Sequence, residues 1–207
     1  MKHLIIIATL VVSGFVQSQT NYEKGMQKAF EIWETGNIIE TSNLFERIAN
    51  AESDNWLPAY YAAQVNIVNS FGERDIEKLT AKLKKGQDFI NDAKAISKNN
   101  PEIMVLQALL YTAWVAHDGA TYGMTMSPQV VELYAKAKAI APNNPRVIYC
   151  EAEWNMGSAK FFGQDTTPFC KDLEKALELF ANFKPESPFH PHWGKERVEI
   201  LLQSCGK

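Results

Sequence analysis

The chain has 207 residues, 46% of them hydrophobic and 22% charged, a balance that supports a folded core and excludes wholesale disorder. Its net charge of −3 and pI of about 5.8 lack the basic excess of a nucleic-acid binder. The densest basic run, Lys78, Lys82, Lys84 and Lys85, is flanked by acidic residues and reads as a solvated helix face, so no nucleic-acid partner is expected.

Residues 1–18 read as a secretory signal peptide. Lys2 and His3 form a polar start, Leu4 to Val12 is apolar except for Thr9, and Val16-Gln17-Ser18 places small residues before Gln19. A bilayer span needs about 20 apolar residues, and neither this run nor any later one is long enough. No cysteine near the cleavage point offers a lipid anchor. The expected mature protein is therefore one domain, residues 19–207, soluble, periplasmic or secreted, with no stable membrane span after signal removal.

From there the apolar periodicity is helical. Tyr22 to Thr35 places Met26, Ala29, Phe30, Ile32 and Trp33 on one stripe, and Gly36-Asn37 ends it. Ile38 to Ala51 follows, with Leu44, Phe45 and Ile48 on one face. Asn55 caps a helix with Pro58 in its first turn, running to Gly72, and Asp75 to Ser97 is a long amphipathic segment. No stretch alternates with period two, so an all-α fold is expected.

The strongest signal is an internal repeat. Ala93-Lys94-Ala95-Ile96-Ser97-Lys98-Asn99-Asn100-Pro101 is echoed about 44 residues later by Ala137-Lys138-Ala139-Ile140-Ala141-Pro142-Asn143-Asn144-Pro145. Each proline opens a helix, Pro101 to Ala116 and Pro145 to Phe162, because its missing donor would go unpaired there anyway. The asparagine pair before it suits a turn and a cap. His117 to Ser127, with Gly119 and Gly123, and Phe162 to Thr167 read as long loops inside the later units. Lys184 to Pro191, with three prolines, reads as a break, and Trp193 to Ser204 as a final helix that shields the last apolar face.

These units resemble tetratricopeptide repeats. Ala29, Ala62, Ala108 and Ala152 match the small residue midway along that family's first helix, and Gly36 its turn glycine. Phe45, Ile90, Tyr134 and Leu173 match the large packing residue of the second helix; Ala93, Ala137 and Ala176 match the small residue after it, where Ile48 departs. Pro142 matches the terminal proline, while Ser53 and Lys98 do not. The resemblance spans Tyr22 to Pro185 and implies an α-solenoid of about four helical hairpins plus a C-terminal capping helix. The spacing exceeds the usual 34 residues.

That family binds partners on a concave surface lined by the first helices. Here the resemblance places Met26, Phe30, Trp33, Trp56, Ala63, Asn66, Val105, Leu109, Thr112, Arg146, Tyr149, Glu153 and Met156 there. Aromatic and arginine side chains are usual anchors of recognition surfaces. The implied role is a non-catalytic exported scaffold that grips a protein or peptide, with a small ligand and self-association left open. The rival role is an oligomeric accessory subunit of an envelope transport or assembly system. Phe161-Phe162-Gly163-Gln164-Asp165 before a helix is similar to a segment of the small helical component that accompanies substrate-binding-protein-dependent transporters.

No catalytic motif is present, and no cofactor or metal is expected. His190-Pro191-His192 lacks the partners of a four-ligand metal site, His117-Asp118 lacks a nucleophile, and Glu151 and Glu153 diverge on a helix. Cys150, Cys170 and Cys205 form no Cys-x-x-Cys pair. Buried free thiols are the favoured reading, with a Cys150–Cys170 bridge between the helices of one hairpin as the alternative.

Overall fold

The computed structural model describes residues 21–205; the expected signal peptide, residues 1–18, lies outside them. Within them run α1 (21–34), α2 (Ile38–Ala51), α3 (Trp56–Val68), α4 (Ile76–Ile96), α5 (Pro101–His117), α6 (Gly119–Ile140), α7 (Pro145–Phe161), a 3₁₀ turn (Thr167–Phe169), α8 (Cys170–Asn182) and α9 (Lys195–Leu202). No strand occurs among the described residues, and no helix there is long and apolar enough to cross a membrane.

Short polar side chains start the helices where the sequence places them. Asn55, Asn100 and Asn144 each accept a hydrogen bond from a backbone N–H in the first turn of α3, α5 and α7, at 2.9–3.1 Å. Pro101 and Pro145 open α5 and α7 at the position that lacks an intrahelical donor. Asp75 caps α4 through the amides of Glu77 and Lys78.

Consecutive helices pair as hairpins, α1 with α2 through α7 with α8. The first helices α3, α5 and α7 also lie side by side and form one inner face. Ala29, Ala62, Ala108 and Ala152 are all fully buried, as is the set Phe45, Ile90, Tyr134 and Leu173 that packs from the second helices. Ala93, Ala137 and Ala176 are buried beside them. The alanines let helix backbones approach, and the large residues fill the space so created. An α-solenoid of four hairpins with a terminal helix is thus the architecture.

Three sequence expectations are corrected. His117 to Ser127 is not a loop. Asp118 accepts from the amides of Ala120 and Thr121 and starts α6 at once, which offsets the weak helix propensity of Gly119 and Gly123. The long repeat spacing therefore comes from long second helices, 21 residues in α4 and 22 in α6. The basic run on α4 is neutralised by acidic neighbours, with Lys82 on Glu73, Lys84 on Asp88 and Lys85 on Glu46.

The third correction concerns the cysteines. Cys170 pairs with Cys205, while Cys150 is free and buried in α7. The Cys150–Cys170 bridge does not form, because Cys205, just past α9, lies against the start of α8. The bond ties α9 to the last hairpin across a separation of 35 residues. Closing a loop of that length is worth about 3–4 kcal/mol by its effect on the unfolded chain. Reduction, or a Cys170→Ser/Cys205→Ser pair, should lower unfolding stability by about that amount in urea titrations, with helical circular dichroism retained in the native state.

Candidate functional site

The inner face begins with a buried ion pair. Arg146, second residue of α7, donates from Nε to Glu102 Oε2 at 2.7 Å and from Nη2 to Glu102 Oε1 at 2.6 Å. Glu102, second residue of α5, also accepts from Asn144 Nδ2 at 2.6 Å. The pair is 0% and 1% exposed, and the Phe183 ring lies over the guanidinium, 4.4 Å from its carbon. A bidentate fork with a third donor is the geometry that offsets the cost of taking two charges out of water.

What covers this pair is the stretch read from sequence as a break. Leaving α8, residues 183–194 cross the N-terminal halves of the first helices and return. Phe189 packs on Tyr22 and Phe30, and its carbonyl accepts from the Tyr61 hydroxyl at 2.8 Å. His190 sits against Trp56 and Phe183, with Nε2 4.0 Å from Glu102. Trp193 donates from Nε1 to the Tyr60 hydroxyl at 2.8 Å and meets Tyr149 edge to face. Gly194 then turns the chain into α9 at φ +110°, where a Cβ would stand 2.7 Å from the Tyr149 ring. Glycine alone fits that corner.

The residues expected to line a binding groove divide accordingly. Met26, Ala63, Val105, Arg146 and Tyr149 are buried, and Phe30 and Trp56 lie beneath Phe189 and His190. Asn66 is committed to Ser42 Oγ and the Ala62 carbonyl, and Glu153 pairs with Arg197 of α9. Each of these side chains is thus engaged within the chain, by the 183–194 segment, by α9 or by packing between hairpins. Trp33, Leu109, Thr112 and Met156 remain partly exposed, the last three on the C-terminal halves of α5 and α7.

That uncovered half leads to the edge where the two helices of each hairpin are joined. There Phe161 and Phe162, at the end of α7, are 72% and 68% exposed and meet edge to face. Trp114 of α5 packs on Tyr122 of α6 with ring centroids 4.9 Å apart, and Phe71 stands exposed in the α3–α4 turn. A cleft of about 380 Å³ opens between that turn and the end of α5. Sequence reasoning missed this edge because it took the residues after His117 as a loop and sought the binding residues along the first helices.

No protein-family model matches the sequence, and no curated protein matches it. Among solved structures, the HusA haemophore from Porphyromonas gingivalis is similar. The TM-score is 0.78 over 89% of this chain and 92% of that one, at 21% identity. At that identity the likeness establishes the helical fold.

The remaining titratable candidates have structural roles. Asp118 caps α6, and its carboxyl is held below the ordinary range, first by the Thr121 hydroxyl. Glu151 pairs with Lys138 on the surface. His192 is exposed while His190 is buried, so the two imidazoles do not converge, and no trio of His, Cys, Asp or Glu among the described residues is arranged to hold a metal.

Replacing Arg146 by alanine should destabilise the protein by about 3–5 kcal/mol in denaturant unfolding, because Glu102 is left charged and buried. Glu102→Gln with Arg146→Met should recover part of that loss. Burial holds the His190 imidazole below its ordinary pKa of 6.5, against the upward pull of Glu102 and Glu186. The unfolded chain then takes that proton more readily than the folded one. The stability the ring contributes is complete above about pH 6.5 and is lost as pH falls below it. The drop in urea midpoint between about pH 7.5 and about pH 5.5 should shrink in His190→Gln.

Proposed function

We propose that this chain is an exported, tetratricopeptide-like carrier that binds a planar, largely apolar ligand of the haem class at the uncovered half of its inner face and the adjoining hairpin edge. The observation that carries the reading is the exposed aromatic rim of Phe71, Phe161 and Phe162, flanked by the Trp114–Tyr122 pair. Soluble proteins seldom leave such surface in water unless something covers it. Aromatic faces suit a flat conjugated ring, which they hold by dispersion and offset stacking.

Three further observations support it. The fold is shared with a haemophore, a protein named for carrying haem. The Cys170–Cys205 bond suits an oxidising compartment, as does the signal-like N-terminus. The 183–194 segment fills the part of the inner face where a peptide would lie, which favours a compact ligand at the open edge over an extended peptide. The carboxylates tested for chemistry are tied up in caps and ion pairs, which favours binding over catalysis.

Titration of the mature protein with ferric haem should give a saturable change in the Soret band and quench tryptophan fluorescence. A Phe161→Ala/Phe162→Ala double variant should weaken binding about tenfold, since each ring removed from a stacking surface is worth on the order of 1 kcal/mol. Its unfolding midpoint should barely change, as expected for exposed side chains. If the same variant instead dissociates an oligomer in sedimentation while the parent protein ignores haem, the accessory-subunit reading takes its place.

A further inference from the structure

We propose that residues 119–127, the first turns of α6, form a lid that opens at Pro128 to admit a flat ligand to the hairpin edge and closes once it is seated; this rests on the haem-class reading above. The reason lies in what holds the stretch down. In α6 only Val130, Tyr134 and Ala137 are buried. All three lie beyond Pro128, so the later turns of the helix are anchored in the core and the first turns are not. From Gly119 to Gln129 every residue is exposed or half-buried, and Met124 is 90% exposed.

The helical ladder is weakest where the anchoring stops. Pro128 stands inside α6. It has no N–H to give the Met124 carbonyl, and its ring crowds that carbonyl, so the ladder is interrupted just before Val130. Gly123 adds to the weakness, since glycine is the poorest helix former after proline. Nothing in the fold requires glycine there. Its φ is not positive, and a Cβ would meet no atom within 4 Å. Alanine would fit and would hold the helix better. The stretch is held by the Asp118 cap at its start and by the Tyr122 ring on Trp114. A broken ladder and an absence of buried residues mark a segment that opens locally while the rest of the protein stays folded.

The lid borders the proposed site. The Phe161 ring lies against Gly119, 3.7 Å from the position a Cβ would take there, and Phe162 meets Phe161 edge to face. Trp114, which Tyr122 covers, belongs to α5, and that helix is rooted in the core next to it at Ala113. When the first turns of α6 lift, Tyr122 leaves with them and the Trp114 ring is uncovered on the same edge as Phe161. A planar ligand takes the face that Tyr122 gave up. Closing the helix over it removes apolar surface of both from water. Entry and release then pass through one opening step, so the stability of this short helical stretch sets both rates.

Hydrogen exchange on the mature, ligand-free protein should show amides 123–127, which have partners within the helix, exchanging at least about tenfold faster than amides 131–137. Ferric haem should slow exchange in 123–127. A Gly123→Ala/Pro128→Ala variant should slow ligand-free exchange there by about tenfold or more. In stopped-flow mixing it should take up and release haem several-fold more slowly, with Kd within about threefold of the parent. Ser127→Gly, which loosens the same stretch, should speed both rates. Equal protection along α6, or parent association rates in Gly123→Ala/Pro128→Ala, overturns the lid while leaving the carrier reading standing. A parent protein that binds no haem overturns the carrier reading, and the gating role with it.

Discussion

Glu102 and Arg146 place a carboxylate and a guanidinium in the seam between α5 and α7, out of reach of water. Such a pair is tolerable only if good geometry and further hydrogen bonds repay the loss of water. Asn144 donates to the carboxylate, and the 183–194 segment supplies the roof, with Phe183 on the guanidinium and His190 beside the carboxylate; Arg146 Nη1 alone is left without a hydrogen-bond partner. The run of aromatics that the roof meets, Tyr22, Phe30, Trp56, Tyr60, Tyr61 and Tyr149, then finds its packing partners within the chain. The half-closed inner face follows from this arrangement.

The pair also exposes how the repeat works. Glu102 follows Pro101 and Arg146 follows Pro145, so the two occupy the same position in successive units, 44 residues apart. His117 reaches the Glu73 carbonyl, and Arg197 reaches Glu153, across the same separation. The first two of these contacts join equivalent points of neighbouring units, which is what a one-dimensional stack requires. Arg197, third in α9, meets Glu153, ninth in α7, so α9 packs chiefly on α8 and out of phase with the repeat. It closes the array with Val198 inward and its other face charged.

Much of the fold was legible because it depends on local chemistry. The asparagine caps, the proline starts and the alanine positions each act within a turn or across one helix contact, and the structure has them where the residues put them. The signal peptide falls outside the described residues. What sequence reasoning missed was non-local. Arg146 looked like an exposed anchor because its partner lies in another unit, although opposite charges at matching repeat positions were a usable signal. Three prolines in Lys184 to Pro191 marked a break correctly but gave no direction for the chain to run, and the direction is set by rings over 100 residues away. The loop read at Gly119 and Gly123 failed for a local reason: one aspartate with two amides to cap outweighed two glycines.

The two halves of the inner face therefore answer to different demands. At the N-terminal ends of the first helices, aromatic and charged groups are matched within the chain, and changes there should register as stability. At the joined ends of the hairpins, Phe161, Phe162 and Phe71 face water without such partners, while the α4 surface not far along the chain carries paired charges. Gly163, at φ +65°, turns the chain just after α7, and both phenylalanines stay outside. Apolar surface held in water by a specific turn costs stability and gains nothing from folding. Exposed rings grouped at one edge suit a surface that a ligand would cover, which is the ground on which the proposed site is placed there.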